Sequence, residues 1–418
     1  MAENIIVIGG GIVGVCNALA LQQSGHQVTI IERGLPGRET SYGNAGVLCD
    51  GAVLVLNNPD LWKSLPALLL GKGNGLRYSP WFVARRLGWF AKFLVRATDR
   101  RARLSAIALR DLQLASLAQH KAWISAAGAD DLLRHAAWLK VFRSEESFQS
   151  YRYELEVIDS VGVQTTIYER AQLRQLEPGL KGVYEKGVLF DGTCRVTSPL
   201  ALIEAYMALF RAAGGEIVKG DVTAIATTES QHDRWQIKLA DRTDLSAAHV
   251  VLAAGPWSAQ IAATLGYDIP LAWERGYHTH LAPGDGPQLT RAVHDIDGGF
   301  VMAPMQQGIR ITSGVEITDI DAPKNFAQIH RSVDQARTAH DMQAPIEDEP
   351  WMGRRPTLID SLPMIGPAPR HAGLWFNFGH QHVGLSMGPG SGLAIAAMIN
   401  DTTLGFDASP FRADRFPI

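Results

Sequence analysis

Asn4-Ile5-Ile6-Val7-Ile8-Gly9-Gly10-Gly11-Ile12-Val13-Gly14 opens the chain, and the reading of this stretch through Glu32 decides the fold. Asn4 to Ile8 is a short β-branched run, as expected of a buried parallel strand. Gly9-x-Gly11-x-x-Gly14 follows it. Ile12 to Ser24 is rich in Ala and Leu and predicts a helix that Gly25 stops. Gln27-Val28-Thr29-Ile30-Ile31 predicts a second strand, ending in Glu32. Each part has a physical role. The first glycine permits a tight turn, the second lets backbone approach a pyrophosphate, and the third lets helix and strand pack closely. The helix N-terminus offers free N–H groups and partial positive charge to phosphate. Glu32 is placed to accept hydrogen bonds from ribose hydroxyls. Strand, helix, strand and terminal acid together point to a bound dinucleotide. The alternative is a Gly-rich turn in a nucleotide-free α/β domain.

Length and composition bound the rest. A chain of 418 residues favours two or three domains. With 46% hydrophobic residues it has material for a large core, so disorder is excluded as a class. Lys+Arg total 39 and Asp+Glu 42, a net charge of −3, which removes a global nucleic-acid binder. Cys16, Cys49 and Cys194 are too few and too scattered for a disulfide framework or metal cluster, and suggest a reducing compartment. No targeting segment is visible, so the expected location is cytoplasmic. Ile5 to Ile31 carries no charge and would attract a hydropathy window, but its glycines and the polar Gln22–His26 favour a βαβ unit over a membrane span.

The open question is which dinucleotide. After Arg33, a domain for NAD would return to helix and strand. Instead Gly34 to Gly46 forms a long loop dense in Gly and small polar residues. Its backbone and hydroxyls suit a flavin ring; the bland reading is a surface loop. Here the sequence resembles the D-amino-acid oxidase/dehydrogenase-like FAD enzymes. Thr40-Ser41-x-x-Asn44-Ala45-Gly46 is most similar to the bacterial D-amino-acid dehydrogenase branch. The resemblance is strong over the first 50 residues, returns around 195–260 and again, strongly, at 350–395, and is loose over 60–190.

That resemblance implies an α/β fold: a Rossmann-like FAD-binding domain of the GR2 type, with parallel sheet and β-meander, carrying an inserted α+β substrate domain on a mainly antiparallel sheet. Segments 1–60, 190–268 and 345–418 are expected in the FAD domain, and 61–189 with 269–344 in the substrate domain. It implies FAD held non-covalently by Gly9, Gly11, Ile12, Val13, Gly14, Glu32, Arg33, Thr40, Ser41, Asn44, Ala45 and Gly46. Val222 sits by the adenine through its backbone, and Ala254, Gly255 and Trp257 form the strand-and-turn beside the cofactor.

Residues 59 to 125 read as helical. From Arg77 to Arg103 the basic residues outnumber one acid, Asp99, and on a helix Arg85, Lys92, Arg96 and Arg103 fall near one face. Contact with anionic lipid and simple packing of an inserted helix are the two readings. Ser198-Pro199 starts a helix ended by Gly214-Gly215, Glu216 to Val222 reads as a strand, and 223 to 249 alternate as a small antiparallel meander. Val250 to Ala254 is an apolar strand. Further strands are expected at Trp273–Leu281, Ala292–Ile296, Gly299–Ala303 and Ile309–Val315, with Asp297-Gly298 as a hairpin signal.

Gly353-Arg354-Arg355-Pro356…Asp360…Pro363-x-Ile365-Gly366 resembles the family segment whose arginine before proline holds the substrate α-carboxylate. Arg355 takes that position. A guanidinium fork matches a carboxylate with two hydrogen bonds; the alternative is a pair with Asp360 or a helix end. Gly353 and Arg354 are grouped with the cofactor site, Arg354 as the structural neighbour because adjacent side chains in an extended segment diverge. Leu374–Phe378 reads as a strand, then Gly379 to Gly392 as a Gly-rich turn before a helix from Leu393 to Ile399. By resemblance Gly379, His382, Val383, Gly384, Leu385 and Ser386 approach the flavin where charge gathers on reduction. His382 either faces the substrate or bonds backbone. Arg275-Gly276-Tyr277-His278 resembles the family's Lys/Arg-Gly-Tyr element. Tyr277 either closes the pocket or is an ordinary strand tyrosine. His278 and His280 alternate with Tyr277 and Thr279, and which pair faces the cavity is open. Arg310 is a second candidate cation. Met305, and Val47 to Asp50 after the loop, offer no evident substrate-reading group. No metal site or hydrolase motif emerges.

The resemblance implies an FAD-dependent amino-acid dehydrogenase or oxidase, moving hydride from Cα to flavin N5. D-amino acids or cyclic imino acids lead as substrates. A glycine/sarcosine-type N-alkyl amino acid oxidase and an FAD-holding subunit of a larger dehydrogenase are the alternatives. An NAD(P) enzyme is the competing class. The electron acceptor is a quinone, another carrier or O2, and peripheral contact with the inner membrane face is a further expectation. Oligomeric state is not legible.

Overall fold

The computed structural model describes residues 2–69, 75–230, 232–240 and 243–418. Strand Asn4–Ile8, helix Ile12–Gln23 and strand Gln27–Glu32 form the expected opening unit. The two strands pair in parallel at the centre of a six-stranded sheet. Its order is Glu216–Lys219, Gln27–Glu32, Asn4–Ile8, His249–Leu252, Leu374–Phe378 and Met364–Pro367. Only the last pair is antiparallel. Val7, Ile30, Val251 and Phe376 are buried without residue, because both faces of a parallel sheet are covered. The meander expected over 223–249 is the three-stranded sheet Val222–Thr227, Trp235–Leu239, Leu245–Ala247.

The second layer is an eleven-stranded sheet organised around the long strand Leu271–Pro283. It takes strands from 76–78, 138–142, 165–169 and 186–190 as well as from 293–317. Two features depart from the expected division. Strand Trp351–Leu358 was expected with the nucleotide-binding segment that starts at 345, yet it pairs antiparallel with Leu271–His278 in this second sheet. Helix Asp99–Ala126 falls within the range expected for the substrate domain, yet it packs on the last long helix, Gly384–Ile399, and on helix Pro199–Ala212. Ala102, Leu109, Leu112 and Trp123 carry it into the core of the first layer.

Arg77 to Arg103 is not one basic helix. Ser79 accepts a hydrogen bond from the Phe82 amide and starts a short helix at Pro80–Arg85. A break at Arg86 separates this from Leu87–Val95, and Asp99 begins a new helix. Arg85, Lys92, Arg96 and Arg103 therefore share no single face. Arg85 instead pairs with Asp319, and Arg103 with Asp99.

The last helix also differs from expectation. It starts at Gly384, not Leu393, so most of the presumed Gly-rich turn is helical. Its glycines are contact points. A Cβ on Gly392 would lie 2.7 Å from the Cys16 carbonyl oxygen of the opening helix, and one on Gly390 2.5 Å from Ser116 Oγ. Glycine in a helix interior costs about 1 kcal/mol against alanine, which close approach of backbones offsets here. His120, fully buried, ties three helices together. Its Nε2–H donates to the Leu385 carbonyl at 2.7 Å, and Nδ1 lies 2.7 Å from the Tyr206 hydroxyl.

Burial lowers the His120 pKa from 6.5 to about 4. Between those values the unfolded chain binds a proton that the folded protein refuses. Stability is expected to fall as pH drops from 6.5 toward 4, by up to about 1.4 kcal/mol per pH unit from this group. His120→Gln should flatten that slope, read as urea midpoints across the pH series. An unaltered slope would remove His120 as a cause.

Candidate active site

The two layers enclose a cavity of about 890 Å³, at the upper end of small-molecule sites. One end is the opening unit. Gly9 adopts φ +115°, and a Cβ there would sit 2.5 Å from the Ala253 carbonyl oxygen. A Cβ on Gly14 would lie 1.8 Å from the Gly9 carbonyl oxygen, so only glycine closes this turn. Gly14 is packed beneath the cavity, whereas Gly9, Gly11, Ile12 and Val13 line it. Glu32 lines it too. Its Oε2 accepts from the Gly10 amide at 2.7 Å and its Oε1 from Gly34 at 2.9 Å. An open glycine rim at a helix N-terminus, next to an oriented carboxylate, fits a pyrophosphate and its ribose. Val222 and Ala254, Gly255 and Trp257 border the same end. The Arg33 guanidinium lies 3.7 Å above the Trp257 ring and caps the rim.

The loop after Arg33 runs along the cavity. Thr40, Ser41, Asn44 and Ala45 line it, and their side chains hold the loop in place. Ser41 Oγ accepts from the Ile12 amide at 3.0 Å, and Thr40 donates to the Arg354 carbonyl. Asn44 donates to the His382 carbonyl at 3.1 Å and accepts from the Gly46 amide at 2.8 Å. Gly46 itself, at φ +75°, faces the Val196 carbonyl and not the cavity. Opposite, Gly379 turns the chain at φ +87° toward Val383, Gly384, Leu385 and Ser386, which line the cavity at the start of the last helix. First-turn amides have no partner inside a helix, so at this helix start they are open to the cavity. The Ser386 hydroxyl is engaged, accepting from the Cys49 amide and donating to the Val47 carbonyl.

The strands Leu271–Pro283 and Trp351–Leu358 form the other wall. Glu274 stands opposite Arg355 and Gly276 opposite Gly353. Arg355, half-buried, bends over Gly276: a Cβ there would meet its Nη2 at 2.4 Å. Its one hydrogen bond within the described residues runs to the Gly314 carbonyl at 3.2 Å. Asp360, the alternative partner, pairs with Arg415 instead. The guanidinium thus presents donors to the cavity. Burial lowers the Arg355 pKa and nearby Glu274 opposes this. The His382 ring also opens onto the cavity. Burial, with Arg355 and Lys140 nearby, takes its pKa down to about 4, so it is neutral at pH 7.

Strand parity orders the alternating residues, and side-chain contacts correct the expectations for His278, Arg310 and Arg354. Tyr277 borders the cavity, but its side chain and that of Arg275 lie on the strand face opposite to Glu274 and Gly276. The Tyr277 hydroxyl donates to Glu316 at 2.6 Å and accepts from Arg275 and the Asn325 amide, which leaves nothing for a substrate. His278 shares parity with Gly276, but Trp351 stacks on it with ring centroids 4.8 Å apart and Tyr42 covers it at 5.3 Å. Arg310, almost wholly buried, donates to the Tyr42 and Asn44 carbonyls and braces the loop from behind. Arg354 donates to the Ile320 carbonyl and leans on Trp257, outside the cavity lining.

Sequence reading missed several lining residues. Glu274 was two positions from Gly276, and period-two alternation would have placed it on the same face. Lys140 Nζ lies 2.7 Å from Glu154 and within 5.1 Å of the Trp138, Tyr151 and Phe190 rings. His294 stacks on Trp138, and burial takes its pKa down to about 3. Nothing local in the sequence singles out Lys140 or His294, because separate strands bring them to the cavity.

A family model described as "DAO: FAD dependent oxidoreductase" matches residues 4–398. The chain is 29% identical to a D-amino-acid oxidase of Bradyrhizobium diazoefficiens, over 99% of each chain. It is 30% identical to D-amino acid dehydrogenase 2 of Mesorhizobium japonicum, over 94% of this chain and 96% of the other. Glycine oxidase from Geobacillus kaustophilus has a similar fold, with a TM-score of 0.74, 20% identity and 99% of each chain covered.

Gly14→Ala is expected to force the glycine turn open and to abolish cofactor retention. The purified variant should be colourless, with the ~450 nm flavin band of the wild type absent. A variant that keeps a full complement of flavin would show that the turn does not hold the cofactor.

Proposed function

The chain belongs to the DAO family of FAD-dependent oxidoreductases, and from that premise we propose that it oxidises an amino acid at the Cα–N bond. The observation that carries this reading is Arg355. Its guanidinium borders a cavity that continues to the Gly9–Gly14 turn and makes a single hydrogen bond among the described residues. A carboxylate is the group that a planar fork of donors fits best. Held there, the substrate has its Cα directed by a fixed anchor, which is catalysis by orientation. FAD, when bound, supplies the acceptor for the hydride that leaves Cα. The amine lone pair forms the C=N bond as the hydride departs, leaving an iminium cation that water hydrolyses to the keto acid and ammonium. A neutral His382 adds no competing cation beside Arg355.

The printed names of two full-length relatives, a D-amino-acid oxidase and a D-amino acid dehydrogenase, support a D-amino acid or a cyclic imino acid as substrate. Retention of FAD without a covalent bond belongs to the same reading. Anaerobic flavin bleaching against D-, L-, cyclic and N-alkyl amino acids tests it. Arg355→Ala is expected to weaken substrate binding by roughly 2–5 kcal/mol, as an anchored charge loses its partner. A near-normal KM in that variant, or no bleaching of the wild type by any amino acid, would overturn the reading.

We further propose that a quinone or another carrier takes the electrons, with transient contact at a membrane surface. No helix among the described residues is long and apolar enough to cross a membrane. On the broken helices at 80–95, however, Trp81, Leu87 and Val95 are each at least 65% exposed, with Lys92 between them. Apolar residues flanked by cations suit the boundary of an anionic bilayer. Co-sedimentation with phosphatidylglycerol vesicles should fall in Trp81→Ser/Leu87→Ser. Equal pelleting of wild type and variant would remove this surface from consideration.

A further inference from the structure

Glu274 and Arg355 are directly opposed in an antiparallel register, with side chains on the same face. Opposite charges so placed ordinarily pair across strands. Here they splay apart. Arg355 leans over Gly276 to the Gly314 carbonyl, and Glu274 leans the other way, where its Oε1 accepts from the Thr357 hydroxyl at 2.7 Å. Glu274 is 8% exposed and borders the cavity, and its Oε2 has no hydrogen-bond partner among the described residues. A buried carboxylate oxygen without a donor is costly, and a native site retains one when a ligand supplies the donor. Both members of the pair are therefore incomplete in complementary ways: one offers donors, the other an acceptor.

We propose that Glu274 is the amine-reading residue of this site: its Oε2 accepts a hydrogen bond from the α-nitrogen of the amino acid whose carboxylate Arg355 holds. This rests on the functional reading above and deepens it, from a carboxylate anchor to a two-point clamp for a zwitterion. A substrate with both groups bridges the gap that the two side chains leave open. A carboxylic acid without the nitrogen satisfies Arg355 and leaves Glu274 unpaired, which disfavours it. Simple fatty acids are then poor ligands, whereas primary and secondary amines each carry the N–H that Oε2 needs. Burial pushes the Glu274 pKa up, and the Thr357 hydrogen bond and nearby Arg355 pull against it.

The test compares two ligands that differ only in the nitrogen and cannot be oxidised, since neither has a hydrogen on Cα: 2-aminoisobutyrate and 2,2-dimethylpropanoate. Calorimetric titration of the wild-type holoenzyme should show the amino acid binding about tenfold or more tightly than its carbon analogue. In Glu274→Leu the preference should vanish, with the affinity for 2-aminoisobutyrate falling and that for 2,2-dimethylpropanoate kept or raised as the unpaired carboxylate is removed. Glu274→Gln, which keeps size and a neutral acceptor, should give an intermediate preference and serves if the leucine variant does not fold. A preference that survives in these variants, or equal loss of both ligands, would overturn the role of Glu274. Bleaching of the wild-type flavin by amino acids is a separate readout, so failure of the functional reading is recognised independently.

Discussion

The register between strands Leu271–Pro283 and Trp351–Leu358 is the constraint on which the site depends. From Leu271 to His278 each residue has a defined partner, and side chains alternate between two faces. A slip by one residue would exchange the faces. The Arg355 side chain would leave the cavity face, and those of Arg275 and Tyr277 would turn onto it, breaking the buried ion pair of Arg275 with Glu316. That ion pair and the Tyr277 hydroxyl on one face, and the Arg355–Gly276 contact on the other, hold the same register from both sides.

The cofactor end is held by a different kind of contact. Backbone meets backbone where Gly14 lies on Gly9, where Gly9 lies on Ala253, and where Gly392 lies on Cys16. Helices Ile12–Gln23 and Gly384–Ile399 both begin at the cavity and pack against each other through these small residues. Their N-terminal amides are thus brought to one space. His120 bonds the first-turn carbonyl of Leu385, so the second of these helix starts is anchored from the core and not from solvent.

The cavity lining divides by charge. At the glycine rim a carboxylate is held by two backbone amides, which fixes its direction. At the strand wall Arg355 and Glu274 are left without mutual pairing. Burial pushes the pKa values of His380 and His294 down to about 3, and desolvation at the cavity, with Arg355 and Lys140 nearby, lowers that of His382 to about 4. The ionisable side chains at this wall that lack a mutual partner are Arg355 and Glu274, whereas Lys140 is paired with Glu154.

The opening βαβ unit was legible because its logic is local. Strand, glycine turn, helix and Glu32 are contiguous, and the steric demands on Gly9 and Gly14 follow from the turn they make. Arg355 was legible through the resemblance of its segment. What tertiary structure alone decided is which neighbours count. Alternation along 275–280 says that neighbouring residues face opposite ways, but not which way. The long-range pairing with 351–358 sends Tyr277 into the core, puts Trp351 over His278, and leaves Glu274 open. The glycines at 388–392 look like turn in sequence and are helix in the fold, because a helix from elsewhere, not their own propensity, supplies the reason for small residues. Local steric rules can be read from adjacent residues; the face a side chain occupies and the partner it lacks are set by residues far away in the chain.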